Sequence, residues 1–381
     1  MTQNANWSFP TNIRFGPGRI QELADACRET GMQRPMLVTD RGLANLDITA
    51  RALRVLADAG ISAGLFAEVD SNPTDTNLAT GVAAYNSGHH DGVIAFGGGS
   101  GLDLGKLVAF MCGQTRPVWD FEDVGDWWTR ADASTIAPIV AVPTTAGTGS
   151  EVGRAGVVTN SETHVKKIIF HPKVLPSIVI CDPELTVGMP PAITIGTGMD
   201  AFVHCMEAYC SPFYHPLAQG VALEGMRLVH ENLPRVYADP NDLEARAHMM
   251  SAAAMGATAF QKGLGAVHAL AHPIGAHFDT HHGMTNAVIA PTVLRFNEAV
   301  VSTRLGSAAA YVGVGNTFSA FLDRVLELRG TLGVPDRLSG LGVQNADVST
   351  LATHALNDPT AGGNPVELTQ EAAETLYAAC L

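Results

Sequence analysis

The chain has 381 residues, of which 46% are hydrophobic and 16% charged, and its net charge is -14. A chain of this length and composition is typical of a globular protein with two domains, and it excludes a fibrous or disordered protein. The net negative charge disfavours a nucleic-acid partner, because no basic stripe is available to neutralise phosphates.

The chain also lacks the usual targeting features. Its first residues, MTQNANWSFPTNIRFGPG, contain no basic segment followed by an apolar one, so no signal peptide is expected. No apolar run is long enough to cross a bilayer, so no membrane partner is expected. The six cysteines have no CxxC spacing, which is typical of reduced, buried thiols. These features predict an acidic, soluble protein of the cytoplasm.

Short β-branched runs alternate with helical patterns in the first half of the chain. The predicted strands lie in PMLVTD, ISAGLFAEV, GVIAFGGGS, PIVAVPTTAGTGS and PSIVICDP. Nearly continuous apolar strands between amphipathic helices indicate a parallel sheet that is covered on both faces.

The strand pattern stops across DPELTVGMPP, from Asp182 to Pro191. The sequence that follows is rich in alanine and has a helical period, as in ARAHMMSAAAMGATAF and STRLGSAAAYVGV. We therefore predict an α/β domain over residues 1–185 and an all-helical domain over residues 186–381.

A glycine cluster follows the strand of VIAFGGGSGLDLGKLVAF and precedes a helix. Gly97, Gly98 and Gly99 would let the backbone approach a ligand closely, and Ser100 is predicted to cap the helix. The exposed N–H groups of a helix N-terminus suit a pyrophosphate. The motif is neither GxGxxG nor a P-loop, and by itself it is as typical of a plain turn.

A second loop of this kind is PTTAGTGSE, from Pro143 to Glu151. It offers hydroxyl groups on Thr144, Thr145 and Thr148. Ligands of α/β sheets bind at the carboxyl ends of neighbouring strands, so two such loops favour a nucleotide site.

Histidines are concentrated in GLGAVHALAHPIGAHFDTHHG, which contains five of the fourteen. His268 and His272 are four residues apart, as are Asp200 and His204 in GMDAFVHCMEAY, so each pair would share one helix face. His282 lies fourteen residues after His268 in the sequence. A single histidine is usually an ordinary core or surface residue. One carboxylate with three imidazoles, however, suits zinc or ferrous iron, and a cation offsets the cost of burying the carboxylate.

Several motifs together resemble the iron-containing (group III) alcohol dehydrogenases, and the resemblance covers essentially the whole chain. It implies a Rossmann-like dinucleotide-binding α/β domain, an all-α metal-binding domain of the dehydroquinate synthase-like fold, and a cleft between them. It also implies a metal-dependent enzyme that transfers hydride between NAD(H) and a small alcohol or aldehyde. The motifs are GGGSGLDLGK, PTTAGTGSE, DPELT, GMDAFVHCMEAY and GAVHALAHPIGAHFDTHHGMTNA.

The resemblance assigns roles to the histidines. It implies Fe²⁺, with Zn²⁺ as the alternative, on the ligand set Asp200, His204, His268 and His282. His272 is the catalytic candidate, either as a proton relay or as a residue that orients a ligand. The other two histidines of the cluster, His277 and His281, match no ligand position.

Cofactor contacts are implied in the same way. Asp40 should meet the adenosine ribose, Lys167 should lie near the nicotinamide half, and Asp103 should contact the cofactor or fix its loop. A carboxylate at residue 40 would repel a 2′-phosphate, which favours NAD over NADP. A turn or helix-cap role for Asp40 is the alternative, and the neighbouring Arg41 could instead partner a phosphate.

The segment AFQKGLGAVH departs from the family pattern, which has small, neutral residues there. Lys262 is therefore predicted to meet a negative or strongly polar group of the substrate. The alternative is a lysine that reaches solvent or pairs with a local Asp or Glu. A homodimer or higher homo-oligomer is expected.

Three other functions remain open. A glycerol dehydrogenase-like polyol dehydrogenase and a dehydroquinate synthase-like lyase share the fold, but His204 favours the iron-type enzymes over both. A non-catalytic nucleotide- or metal-binding module is the third. The combination of a cofactor loop, four ligands and a proton relay disfavours it.

Overall fold

The computed structural model describes residues 11–163 and 165–381. The expected absence of a signal peptide concerns a segment that lies mostly outside these residues. The chain divides into two compact units, an α/β unit that includes residues 11–145 and 149–188 and a helical unit that includes residues 146–148 and 189–381. The main division falls after Gly188, whereas the sequence predicts it near residue 185.

The α/β unit alternates strands and helices from its first residue. Its elements are β1 (Asn12–Phe15), α1 (Leu23–Glu29), β2 (Met36–Asp40), α2 (Asp47–Asp58), β3 (Gly64–Val69), α3 (Asp75–Ser87), β4 (Val93–Gly97), α4 (Gly99–Met111), β5 (Ile139–Pro143), β6 (Ala155–Asn160), β7 (Val165–Phe170) and β8 (Ile178–Cys181).

Six strands form one parallel sheet in the order β1-β8-β5-β4-β2-β3. Every residue of β4 and β5 is buried, as expected for strands that are covered on both faces. The five predicted strands and the parallel sheet are confirmed. The short edge strand β1 and the separate antiparallel hairpin of β6 and β7 were not predicted from the sequence.

The order of the strands creates a crevice between β2 and β4. The chain continues from β2 to β3 on one side, and from β4 to β5 on the other. In open α/β sheets, ligands bind at the carboxyl ends of the strands where the direction of winding reverses in this way. Asp40 ends β2 and Gly97 ends β4, so both lie at this edge.

The helical unit contains no strand among its described residues. Its helices are α5 (Pro191–Cys210), α6 (Pro216–Ala238), α7 (Leu243–Ala259), α8 (Ala266–Phe278), α9 (His282–Tyr311), α10 (Phe318–Thr331), α11 (Val348–Leu356) and α12 (Gln370–Cys380). The predicted all-helical character is confirmed. None of the helices in the described part of the chain combines the length and apolarity that a bilayer crossing requires.

Helix α5 is buried over most of its length. It begins at Pro191, where proline is favoured because the first N–H of a helix needs no intrahelical partner. Every residue from Met199 to Cys210 is buried. This stretch includes charged and polar side chains, and buried polar groups require partners.

Candidate active site

The buried polar residues of α5 lie on one face of the helix. Asp200, His204 and Glu207 follow one another at spacings of four and three residues, which places them on the same side. Their exposed fractions are 4%, 4% and 6%. The predicted pairing of Asp200 with His204 on one helix face is therefore present, and Glu207 extends it.

Helices α8 and α9 provide the partners. α8 carries His268 and α9 begins at His282. Gly283 allows α9 to approach α5 closely, because a Cβ at this position would overlap the carbonyl oxygen of Gly196. As a result, Nε2 of His282 lies 3.5 Å from Oδ1 of Asp200.

The donor set fits a divalent cation. Asp200, His204 and His268 each offer one ligand atom, and these atoms all lie within 4.8 Å of one another. Nδ2 of Asn286 lies 2.8 Å from Oδ1 of Asp200, 3.3 Å from Nε2 of His268 and 3.1 Å from Nε2 of His282. An amide with two N–H bonds cannot satisfy three acceptors. A metal ion can bind a carboxylate and several imidazoles at once.

Glu207 fixes the orientation of His268. Its Oε2 lies 2.5 Å from Nδ1 of His268, and its Oε1 accepts from the Val267 N–H at 2.7 Å. An ionised carboxylate only accepts, so Nδ1 of His268 carries the proton and Nε2 keeps a lone pair. Carboxylates hold metal-binding histidines in this way. Burial lowers the pKa of His204 to about 4, which favours the neutral imidazole that binds metals.

The remaining histidines of the cluster have separate positions. His272 donates from Nδ1 to Oδ2 of Asp358 at 2.7 Å, and its ring stacks on that of His282 with centroids 5.3 Å apart. His281 is the N-cap of α9, and its Nδ1 accepts from the Met284 N–H at 3.4 Å. His277 is exposed and contacts a histidine of α11.

Two of the predicted cofactor residues, Asp40 and Gly97, lie together at the crevice of the α/β unit. Gly97 has φ +136°, a backbone conformation that favours glycine, and a Cβ there would lie 3.5 Å from Oδ2 of Asp40. Oδ1 of Asp40 accepts from the N–H groups of Gly42 and Leu43 at 2.8 and 3.0 Å. The structure therefore shows the turn role for this oxygen, which the sequence analysis left as the alternative.

The start of α4 differs from the prediction. Gly98 is the N-cap and Gly99 the first helical residue, so Ser100 lies inside the first turn. The predicted capping role of Ser100 is wrong, because the helix begins two residues earlier than a serine cap would require.

The second loop runs beside the first. The Thr144 N–H donates to the Gly97 carbonyl at 2.9 Å. The methyl group of Thr145 would lie 3.1 Å from a Cβ on Gly98. Thr148, the third predicted hydroxyl donor, belongs to the helical unit.

Asp103 fixes a loop of the α/β unit. Its carboxylate accepts from the Ser150 hydroxyl and from the Val157 N–H at 3.1 Å, and it lies 3.3 Å from Nζ of Lys106. Lys167 lies on β7, where its Nζ pairs with Glu122 at 2.9 Å.

Lys262 has a different environment from the one predicted. It is 2% exposed, and its Nζ donates to the carbonyls of Ala208, Tyr209 and Ser211 at 3.0, 3.1 and 2.6 Å. All three N–H bonds of the ammonium are used at the C-terminal end of α5, so none is available to a substrate anion. This corrects the prediction of a substrate contact, and it also differs from the alternative, because the partners are backbone carbonyls and neither solvent nor a local Asp or Glu.

Three residues of the site were not predicted. Glu207 and Asn286 could have been found from spacing, because they follow His204 and His282 by three and four residues on the same helices. Asp358 carried no such signal, since it lies 86 residues from His272.

Comparisons with known proteins identify the family of the chain. Residues 10–183 match the model of the family "Iron-containing alcohol dehydrogenase", and residues 194–381 match "Fe-containing alcohol dehydrogenase family, C-terminal". The chain is 36% identical to 4-hydroxybutyrate dehydrogenase of Cupriavidus necator over 372 residues, which are 94% of this chain and 95% of that protein.

Solved structures give the same result. A 1,3-propanediol oxidoreductase matches with a TM-score of 0.94 at 33% identity, covering 99% of each chain. The NAD⁺ complex of sulfoacetaldehyde reductase from Bifidobacterium kashiwanohense matches with a TM-score of 0.88 at 29% identity, again over 99% of each chain. The chain therefore belongs to the iron-containing alcohol dehydrogenase family, and it is an NAD- and metal-dependent oxidoreductase of small alcohols or aldehydes.

Proposed function

We propose that this enzyme uses ferrous iron to interconvert a short alcohol and its aldehyde with NAD(H). The proposed iron ligands are Asp200, His204, His268 and His282. The observation that carries the proposal is the convergence of one carboxylate and two imidazoles, those of Asp200, His204 and His268, whose ligand atoms lie within 4.8 Å of one another on buried helices.

Each part of the site has a separate task. When bound, the metal polarises the alcohol or carbonyl oxygen and the nicotinamide carries the hydride. Glu207 holds His268 with its Nε2 lone pair free. His272 donates from Nδ1 to Asp358, which leaves its Nε2 able to accept the alcohol proton.

The cofactor is proposed to bind along the crevice between β2 and β4. There the glycines 97–99 and Ser100 would face the pyrophosphate, and Oδ2 of Asp40 would meet the ribose. Thr144, Thr145 and Thr148 are proposed to offer hydroxyls. Lys167 is proposed to lie near the nicotinamide half, and Asp103 is proposed to fix a loop of the cofactor site.

The substrate is proposed to be a short alcohol that carries a second polar group. This follows the printed names of the relatives, 4-hydroxybutyrate dehydrogenase, 1,3-propanediol oxidoreductase and sulfoacetaldehyde reductase. Lys262 is not proposed to bind that group, because its N–H bonds are engaged by backbone carbonyls.

Kinetics after metal exchange test the proposal. The apoenzyme is reloaded with Fe²⁺ or Zn²⁺ under anaerobic conditions, and NADH consumption is followed with short aldehydes that differ only in a neutral, hydroxyl or carboxylate end group. We expect a higher kcat with iron and the highest kcat/KM with the hydroxyl-bearing aldehyde. Equal or faster turnover with zinc would reject iron, and no NADH oxidation with any aldehyde would reject the function.

The proposal also covers the state of the protein in the cell. All six cysteines are free, which supports a reducing compartment such as the cytoplasm.

The segment after α5 exposes Phe213, Tyr214 and Leu217 by 56%, 37% and 43%, which supports a homo-oligomer. Light scattering of the purified protein should give a dimer or a larger assembly, and a monomer would reject this part.

A further inference from the structure

Asp358 lies in the turn after α11 and contacts the histidine next to the proposed metal ligands. Its Oδ2 lies 2.7 Å from Nδ1 of His272, and the exposed fractions of the two side chains are 13% and 23%. No functional role for Asp358 follows from the sequence motifs.

The carboxylate of Asp358 is itself held in place. Its other oxygen, Oδ1, accepts from the N–H and the hydroxyl of Thr360 at 2.9 and 2.6 Å. Burial opposes ionisation, but His272 and Thr360 outweigh it and lower the pKa of Asp358. Both oxygens of an ionised group are therefore engaged as acceptors, and Nδ1 of His272 must donate.

The orientation of His272 matters because of what its ring contacts. It stacks on His282 with centroids 5.3 Å apart and planes 18° apart. It also meets His268 nearly edge-on, with centroids 5.8 Å apart. A rotation or tautomer change of His272 would therefore change which ring atom faces His268 and His282, the two proposed ligands that it contacts.

We propose that Asp358 is a positioning residue that fixes the ring orientation and the Nδ1–H tautomer of His272, so that Nε2 keeps its lone pair for the alcohol proton. This inference rests on the proposed function for the role of Nε2, but the tautomer itself does not depend on activity. The competing explanation is that the hydrogen bond between Asp358 and His272 only stabilises the packing of α8 against the segment that follows α11.

Asp358→Asn separates the two explanations because it preserves size and packing. The two Thr360 donors require an acceptor, so they would retain the carbonyl oxygen of the asparagine and leave its NH₂ facing Nδ1 of His272. That NH₂ can only donate, so the variant should invert the tautomer and place the proton on Nε2.

The matched control is His277→Ala. His277 also joins α8 to the neighbouring part of the chain, since its Nε2 lies 3.2 Å from Nδ1 of His354 on α11. This variant removes a polar tie between α8 and α11 without touching His272. A merely structural role for Asp358 would give similar effects in both variants.

The test combines ¹⁵N NMR of the imidazoles with kinetics of the metal-loaded enzyme. The His272 signals are identified as those absent from His272→Gln. We expect Nδ1–H in the wild type and in His277→Ala, and Nε2–H in Asp358→Asn. We also expect kcat to fall about a hundredfold in Asp358→Asn, with KM and metal content unchanged.

Two results would overturn the inference: an unchanged tautomer in Asp358→Asn, or an inverted tautomer with kcat within twofold of the wild type. A wild type without activity would reject the proposed function and, with it, the role of Nε2. The NMR signals would then still decide whether Asp358 orients His272.

Discussion

At the scale of single residues, the two oxygens of Asp40 have different tasks. Oδ1 accepts from two backbone N–H groups of the following turn, whereas Oδ2 faces Gly97 at the crevice. The turn role therefore does not exclude a contact with the cofactor ribose. Arg41, the possible phosphate partner, pairs with Asp70 at 3.2 Å.

Asp40→Asn is expected to weaken the preference for NAD. The amide oxygen can keep the turn, but the negative charge that repels a 2′-phosphate is lost. The kcat/KM with NADP should rise roughly tenfold, which corresponds to about 1.4 kcal/mol, while the midpoint of thermal unfolding stays unchanged. Asp47→Asn, which removes an equal charge from a side chain that is 90% exposed, is the control. A wild type without preference for NAD, or a variant with wild-type selectivity, would contradict this role.

Glu151 should make stability depend on pH. It is 2% exposed, and burial raises the pKa of its carboxyl from an ordinary value of 4.5 to about 7. Between these values the folded state binds more protons than the unfolded state. The free energy of unfolding therefore falls as pH rises through this window, and the loss is complete above it.

Glu151→Gln removes this effect. Its free energy of unfolding relative to the wild type should increase from pH 4.5 to about 7 and then stay level, as measured by urea unfolding. Glu162→Gln, at an exposed position, should show no such trend. A difference between Glu151→Gln and wild type that is constant across the window would show that the carboxyl is not perturbed.

At the scale of elements, two basic side chains meet the carbonyls at the C-terminal end of α5. Lys262 donates to three carbonyls there, and Nη1 of Arg304 lies 3.1, 2.8 and 3.0 Å from the carbonyl oxygens of Tyr209, Cys210 and Ser211. Helix ends with buried carbonyls require such partners. The lysine that departs from the family pattern therefore stabilises the helix that carries Asp200 and His204.

Lys262→Ala should destabilise the protein without changing substrate selectivity. The loss of buried, charge-assisted hydrogen bonds is expected to cost about 3 kcal/mol in urea unfolding. Lys173→Ala, which removes an exposed lysine bound to one carbonyl, should cost less than about 0.5 kcal/mol. The opposite outcome is a variant with unchanged stability that prefers carboxylated over neutral aldehydes less than the wild type does. That outcome would support a contact between Lys262 and the substrate.

Helical spacing explains which parts of the site the sequence predicted. Asp200 and His204 are neighbours on α5 at a spacing of four residues, so local periodicity was sufficient to place them together. Asp358 meets His272 only through the packing of α11 against α8, which no local pattern encodes. Lys262 was misassigned for the same reason, because its partners lie more than fifty residues earlier.

At the scale of the whole molecule, the sequence predicted both units but not every strand. Apolar runs identify the strands at the centre of the sheet, since these are buried on both faces. The missed strand β1 is an edge strand of four residues with no buried residue, and the hairpin of β6 and β7 is only partly buried. Neither has the continuous apolar run that the analysis relied on.

The central claim is that α5, α8 and α9 together hold one catalytic metal. Elemental analysis after stripping and reloading with Fe²⁺ tests it most directly, using wild type, His268→Ala and His277→Ala. His277 lies on the same helix as His268 but outside the ligand cluster. We predict a full equivalent of metal and normal NADH oxidation in wild type and His277→Ala, and the loss of both in His268→Ala. Equal metal content and equal activity in wild type and His268→Ala would contradict the account.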